Sequence, residues 1–266
     1  MTTPRTESWT SDQAYEPYVG RWSRLVALRF LDWLPGGPGL AWCDVGCGTG
    51  ALSHAVLATR DPGRVLGVDP SAEYLAAARR GAADARFTGI GGNATELPAE
   101  DGEFDLVVSA LVLNFVPQPD GALVEMRRVA RPGGWIGAYV WDYAEGMQLI
   151  RWFWDAAVAL DPAAVELDEG VRFPLCAPDS LQALFGGAGL LDVAVTEITV
   201  RRVFSGLDDV WAPFLGGQGP APGYSAALPA DRRDALRDRF LGLLPRNADG
   251  TVTLTARAWA VRGLVP

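Results

Sequence analysis

The chain has 266 residues, 49% of them apolar, and a formal net charge of −9, which is enough for one large domain or for a core domain with a cap. Its 23 basic residues are scattered and all of them are arginine, so the charge footprint of a nucleic-acid or anionic-membrane binder is absent and lysine Schiff-base or general-base chemistry is excluded. Met1 to Tyr18 is polar, with no apolar signal core, and no later run approaches the ~20 apolar residues of a membrane span; the expectation is a cytoplasmic protein with a small-molecule substrate.

In chain order, apolar positions 22, 25, 26, 28, 31, 33 and 34 predict a helix over Trp22 to Leu34, ended by Pro35-Gly36-Gly37-Pro38. Nearly continuous apolar runs then predict parallel strands at Leu40 to Val45, Arg64 to Val68, Ala85 to Thr88, Phe104 to Ser109 and Trp135 to Trp141. Helical patterns lie between them at Ala51 to Ala58, Ala72 to Arg80 and Asp120 to Ala130, with Gly81 placed as a left-handed cap and Arg131-Pro132-Gly133-Gly134 as a stop. After Trp141 the rhythm changes. An aromatic stretch over 142–178 precedes a helix at Ser180 to Ala188, and alternating strands follow at Val193 to Phe204 and Thr251 to Val261. The roughly 46 residues between those strands, rich in Gly and Pro, are too long for a hairpin loop and read as part of a lid. The expected organisation is an N-terminal cap (1–38), a core (39–204 and 251–266) with a cap segment (142–178), and a lid insertion (205–250).

Asp44-Val45-Gly46-Cys47-Gly48-Thr49-Gly50 is a strand running into a tight glycine turn and then at once into a helix. Glycine there permits positive φ and lets a ligand approach the main chain. Gly46, Gly48 and Ala51, with Asp69 about 20 residues on, also fit a dinucleotide fingerprint. Asp44 favours a cationic ligand over a diphosphate, because a carboxylate at that strand end repels phosphate and attracts an ammonium or sulfonium. Asp69 ends the second strand where a carboxylate can accept from both ribose hydroxyls of an adenosine.

These segments, together with Gly67 to Pro70, Gly92 to Pro98, Phe104 to Ser109 and Arg128 to Gly134, resemble the class I S-adenosylmethionine-dependent methyltransferases of the ubiquinone/menaquinone-biosynthesis type and their small-molecule relatives. The resemblance covers roughly residues 40 to 141. It implies an α/β, Rossmann-like seven-stranded, mostly parallel sheet of order 3-2-1-4-5-7-6 with helices on both faces, and S-adenosyl-L-methionine as cofactor. It places the methionine moiety over Gly46 and Gly48, ribose on Asp69, adenine beside Pro70 with Asn93 and Ala94 at its edge, Ser109 beside the methionine amine, and Arg24 toward the carboxylate. Relatives commonly carry aspartate where this chain has Asn93, whose amide oxygen makes a weaker acceptor.

The acceptor is less legible. Ser109-Ala110-Leu111-Val112 is not the Asn/Asp-Pro-Pro-Tyr sequence of amide and base N-methyltransferases, so an oxygen or carbon acceptor is expected. His54, the single histidine, lies in the helix after the glycine turn and reads as a packed residue; no carboxylate cluster suggests a metal. Asp142, at the carboxyl end of the fifth strand, is the candidate base, and Asn114 is placed to hold a substrate oxygen. Aromatic residues in the expected covering segments (Tyr15, Tyr18, Trp22; Trp141, Tyr143, Trp152, Phe153, Trp154; Trp211, Phe214, Tyr224) suit a flat, apolar substrate. The competing classes are a methyltransferase-fold protein that uses S-adenosylmethionine for rearrangement or cyclisation, and a regulator that binds it without turnover.

Overall fold

The structure, a computed structural model, describes residues 20–216 and 219–266; Tyr15 and Tyr18 lie outside these. Helix α1 (Arg21–Trp33) leads into β1 (Ala41–Val45), α2 (Ala51–Thr59), β2 (Arg64–Asp69), α3 (Ala72–Ala82), β3 (Phe87–Gly91) and β4 (Phe104–Ala110). A 3-10 turn (Leu113–Phe115), α4 (Pro119–Val129) and β5 (Ala130–Trp141) follow. The sheet runs β3-β2-β1-β4-β5-β7-β6, where β6 is Leu191–Phe204 and β7 is Val252–Leu264. β1 to β5 pair in parallel and β7 runs antiparallel to β5, the order that the resemblance implies.

Residue chemistry explains most of these elements. The parallel strands β1, β2 and β4 are buried along nearly their whole length, as strands covered on both faces must be. α1 turns Val26, Ala27, Phe30 and Leu31 inward. It approaches β5 closely because Gly137 has no side chain: a Cβ there would lie 2.8 Å from Leu34 and 3.0 Å from Phe30. α3 begins with Ser71, whose hydroxyl accepts from Tyr74 N.

Three sequence expectations shift. α3 runs past Gly81 and ends at Ala83, which itself takes the left-handed conformation (φ 43). Gly81 is small for packing instead, since a Cβ there would meet the His54 ring at 2.6 Å. β3 starts later than expected, at Phe87, because Asp84 holds Arg86 through its backbone and guanidinium. The 205–250 segment, read as part of a lid and given no elements of its own, is largely helical: α8 (Leu207–Trp211), α9 (Pro220–Ala227) and α10 (Ala230–Leu243), with the 3-10 turn Ala212–Leu215; α5 (Gln148–Leu160), α6 (Glu169–Arg172) and α7 (Pro178–Gly187) precede β6.

The chain divides into two compact units. One holds Ser23–Asp142, Pro174–Thr199 and Arg257–Pro266, and so most of the sheet; the other holds, of the described residues, 20–22, Tyr143–Phe173 and those of Val200–Ala256. In the second unit Phe153 stacks on Phe214 at 4.4 Å, and Trp154, Trp211, Tyr224 and Phe240 join them edge-on or tilted. Phe153, Trp154 and Phe214 are completely buried, so these rings, expected to wall a substrate pocket, spend their faces on one another and form a core.

Candidate active site

The glycine turn sits at the carboxyl end of β1, where open α/β sheets bind ligands. Gly46 N and Cys47 N donate to Val68 O at 2.7 and 3.1 Å, and Gly48 N donates to Asp69 Oδ2 at 2.9 Å. Gly46, Gly48 and Gly50 have φ of 72, 54 and 90°, which glycine tolerates without strain. The two inner glycines serve different ends. A Cβ at Gly46 would lie 2.6 Å from Val112 of the turn after β4, whereas a Cβ at Gly48 would meet nothing within 4 Å. Main chain is therefore accessible to a ligand at Gly48.

The two carboxylates are less exposed than their sequence positions suggest. Asp44 lies beneath the turn, fully buried, with Oδ2 accepting from Ser53 Oγ at 2.7 Å and Oδ1 unpartnered. Burial pushes its carboxyl up to about 7, with the Ser53 hydrogen bonds opposing. The expectation of a fixed negative charge at the mouth is corrected accordingly: Asp44 is an acceptor whose charge is marginal near neutrality. Asp69 accepts from Gly48 N through Oδ2 and from Ser71 N through Oδ1, at 2.9 and 2.8 Å. Burial raises its carboxyl as well, and those two hydrogen bonds restrain the rise. One further lone pair remains on each oxygen.

Other sequence-selected residues fall around this turn with varied commitments. Ser109, fully buried, donates its hydroxyl to Val45 O at 2.9 Å and ties β4 to β1. Pro70 and Asn93 are exposed and Ala94 is half-buried. The Asn93 amide oxygen, expected to meet an adenine amino group, accepts instead from Thr95 N and Oγ1 at 3.4 Å. Arg24 lies on the exposed face of α1. His54 packs as expected, with Nε2 at 2.9 Å from Ala78 O and the ring edge-on to Phe87. Cys43, Cys47 and Cys176 are free and buried, and burial pushes the first two thiols up, away from reactivity.

The acceptor side is corrected more heavily. Asp142, expected as a base, is buried with Oδ2 held by Arg257 Nε and Nη2, both at 2.6 Å. The guanidinium thus occupies Oδ2 with two charge-assisted contacts. Its partner lies 115 residues away, so no local signal could reveal it. Leu111, just past β4, takes φ 61, a strained conformation for a leucine, and its N–H donates to Tyr139 O at 2.8 Å. Asn114 follows in the 3-10 turn, and neither its Nδ2 nor its Oδ1 has a partner although both are buried. Trp141, at the end of β5, was read only as one of many aromatics. It is 1% exposed and its Nε1 is also unpartnered.

Residues 43–138, which contain both turns, match the family model for the methyltransferase domain. This segment is a methyltransferase domain, set in a sheet of the order that the class I S-adenosylmethionine-dependent fold has. The probable methyltransferase ltbC of Aspergillus luteorubrus is 35% identical over 185 residues, covering 61% of this chain and 62% of that protein. The demethylmenaquinone methyltransferase of Shouchella clausii is 44% identical over 103 residues, covering 36% and 43%. The chain thus spans less than two thirds of the length of either relative. Among solved structures, the Haemonchus contortus phosphoethanolamine N-methyltransferase 2 in complex with S-adenosyl-L-methionine superposes with a TM-score of 0.60 at 19% identity, over 96% of this chain and 56% of that one; the methyltransferase domain shares its fold. S-adenosyl-L-methionine is the cofactor of this class of domain, and the residues present suit it: open main chain at Gly48, an unpartnered acceptor on Asp44, and spare lone pairs on Asp69. No helix among the described residues is long and apolar enough to cross a membrane.

Proposed function

We propose that the protein transfers a methyl group from S-adenosylmethionine to an oxygen or carbon of a small, largely apolar molecule. The observation that carries this reading is the accessible main chain at Gly48, set between Asp44 and Asp69 within the matched domain. When bound, S-adenosylmethionine supplies an electrophilic methyl group on a sulfonium. Transfer would leave the carbon–sulfur pair on a neutral thioether, while an oxygen lone pair or a nucleophilic carbon of the acceptor takes the methyl group and gives up its proton to water. Charge disappears from sulfur in this step, so holding donor and acceptor in line supplies much of the rate.

The chain's own residues divide that task. Gly46 and Gly48 let the amino-acid part of the donor approach the backbone, Asp44 Oδ1 accepts from its ammonium, and Asp69 accepts from the ribose hydroxyls through its remaining lone pairs. Pro70, Asn93 and Ala94 border the adenine, Ser109 offers its oxygen near the amine, and Arg24 is the counter-charge for the carboxylate. Asn114 holds the acceptor. Asp142 positions the end of β5 through Arg257.

Calorimetric titration with S-adenosylhomocysteine and with NADH tests the reading: heat from the first and none from the second is expected, and the reverse overturns it. Asp69→Ala is expected to weaken S-adenosylhomocysteine by at least about tenfold, because hydrogen bonds to a charged acceptor are lost. Unchanged affinity would place the nucleoside elsewhere.

A further inference from the structure

The unpartnered polar atoms at the carboxyl ends of β4 and β5 restrict what the acceptor can be. The hydrogen bond from Leu111 N to Tyr139 O joins the two strand ends, and the 3-10 turn bearing Asn114 packs against β5. On β5, Gly137 faces Phe30 and Leu34, and Tyr139 meets the Phe30 ring edge-on at 4.9 Å. Alternation along the strand then puts Trp141 on this same α1 face. Asn114 and Trp141 thus lie just past or at the carboxyl ends of neighbouring strands, and between them carry three buried polar atoms without partners.

Their chemistry is specific. Trp141 Nε1 can only donate, while the Asn114 amide offers a donor and an acceptor side by side. Buried groups of this kind are normally satisfied, and a site that leaves them unsatisfied discriminates strongly against ligands that cannot pair with them. The complement of a primary amide edge is a donor beside a carbonyl. In an ortho-acyl phenol those two groups close on each other. In a lactam, or its hydroxy-imine tautomer, the geometry forbids that and both face outward.

We infer that Asn114 and Trp141 select a planar acceptor with a lactam edge and one further oxygen: Asn114 Nδ2 donates to the ring carbonyl, the ring N–H donates to Asn114 Oδ1, and Trp141 Nε1 donates to the second oxygen. This rests on the methyltransferase reading above and names its substrate class. Asn114 and Trp141 determine specificity by touching the substrate and take no part in the displacement of sulfur.

The test uses the full chain saturated with S-adenosylhomocysteine and three probes: 4-hydroxy-2-quinolone, 2-quinolone and N-methyl-2-quinolone, titrated by quenching of tryptophan fluorescence. 4-Hydroxy-2-quinolone is expected to bind most tightly, and N-methylation to weaken 2-quinolone by about tenfold, the loss of a two-point contact. In Asn114→Leu the N-methyl and N–H probes are expected to bind alike. In Trp141→Phe the advantage of the 4-oxygen is expected to vanish while the preference for N–H remains. If Asn114→Leu no longer holds S-adenosylhomocysteine, Asn114→Asp is measured instead; it keeps the shape, loses both N–H donors, and is expected to reduce 2-quinolone binding by about tenfold. Equal affinity of the wild-type protein for all three probes, or a preference that survives at position 114, overturns the inference alone. Failure to bind S-adenosylhomocysteine at all overturns the methyltransferase reading and this inference with it.

Discussion

The turn after β1 and the turn after β4 leave adjacent strands of one sheet, and both need positive φ, yet they are built in opposite ways. After β1 the chain uses glycine at each such position and ties its polar groups down with backbone and carboxylate hydrogen bonds. After β4 it forces Leu111 to φ 61 and leaves the Asn114 amide unpaired. The first turn presents main chain, which is the same whatever the rest of the sequence is, and suits a cofactor shared by a whole family. The second presents side chains held in a strained loop, which is where selectivity for one substrate can be written.

The contact between the turns gives the largest expected effect. Gly46→Ala would push a Cβ to 2.6 Å from both Val112 methyls at φ 72, combining overpacking with backbone strain. A loss of about 4 kcal/mol is expected from the two together, read as a lower urea midpoint with S-adenosylhomocysteine binding abolished. Next, Arg257→Met leaves Asp142 buried without its guanidinium, and about 3 kcal/mol is expected to go, much of it recovered in the double variant with Asp142→Leu. An unaltered midpoint would mean that Asp142 does not depend on this pair.

The first turn also carries a pH signature that the second lacks. Asp44 has a folded-state pKa raised from 3.8 to about 7, so the unfolded chain loses this proton first. Stability is therefore expected to fall as pH rises from about 4 to about 7 and to level off above, and Asp44→Asn to remove that slope. A wild-type midpoint flat across this window would show that Asp44 ionises normally. The smallest effect is expected for Gly48→Ala, with open space around the new Cβ. Only the left-handed backbone is penalised, by about 1 kcal/mol, while S-adenosylhomocysteine affinity falls sharply because the methyl group occupies the approach to the main chain. If stability and affinity move together, the ligand does not pass over Gly48.

The same contrast explains what could be read from the sequence. β1 and α2 fall within a residue of expectation, because a buried apolar run, a glycine turn and an apolar helix start are all local signals. The seven-strand order was accessible only through the family resemblance, since the pairing of β5 with β7 joins residues more than 100 apart, such as Trp141 and Ala258. Gly81 was misread as a cap because glycine is small as well as flexible, and its neighbour His54 is remote in sequence. The pairing of Asp142 with Arg257 could not be foreseen because Arg257 lies at the other end of the chain. Trp141 was passed over because unpaired N–H groups become visible only once packing is known.

His54 offers a practical return on one accident of composition. The chain has a single histidine, and its ring lies 2.6 Å from where a Cβ of Gly50 would stand, against the last glycine of the turn. Its imidazole C–H signals in a proton NMR spectrum are free of overlap from any other histidine. They report on that turn directly, so ligand arrival can be followed in the unlabelled, unmutated protein.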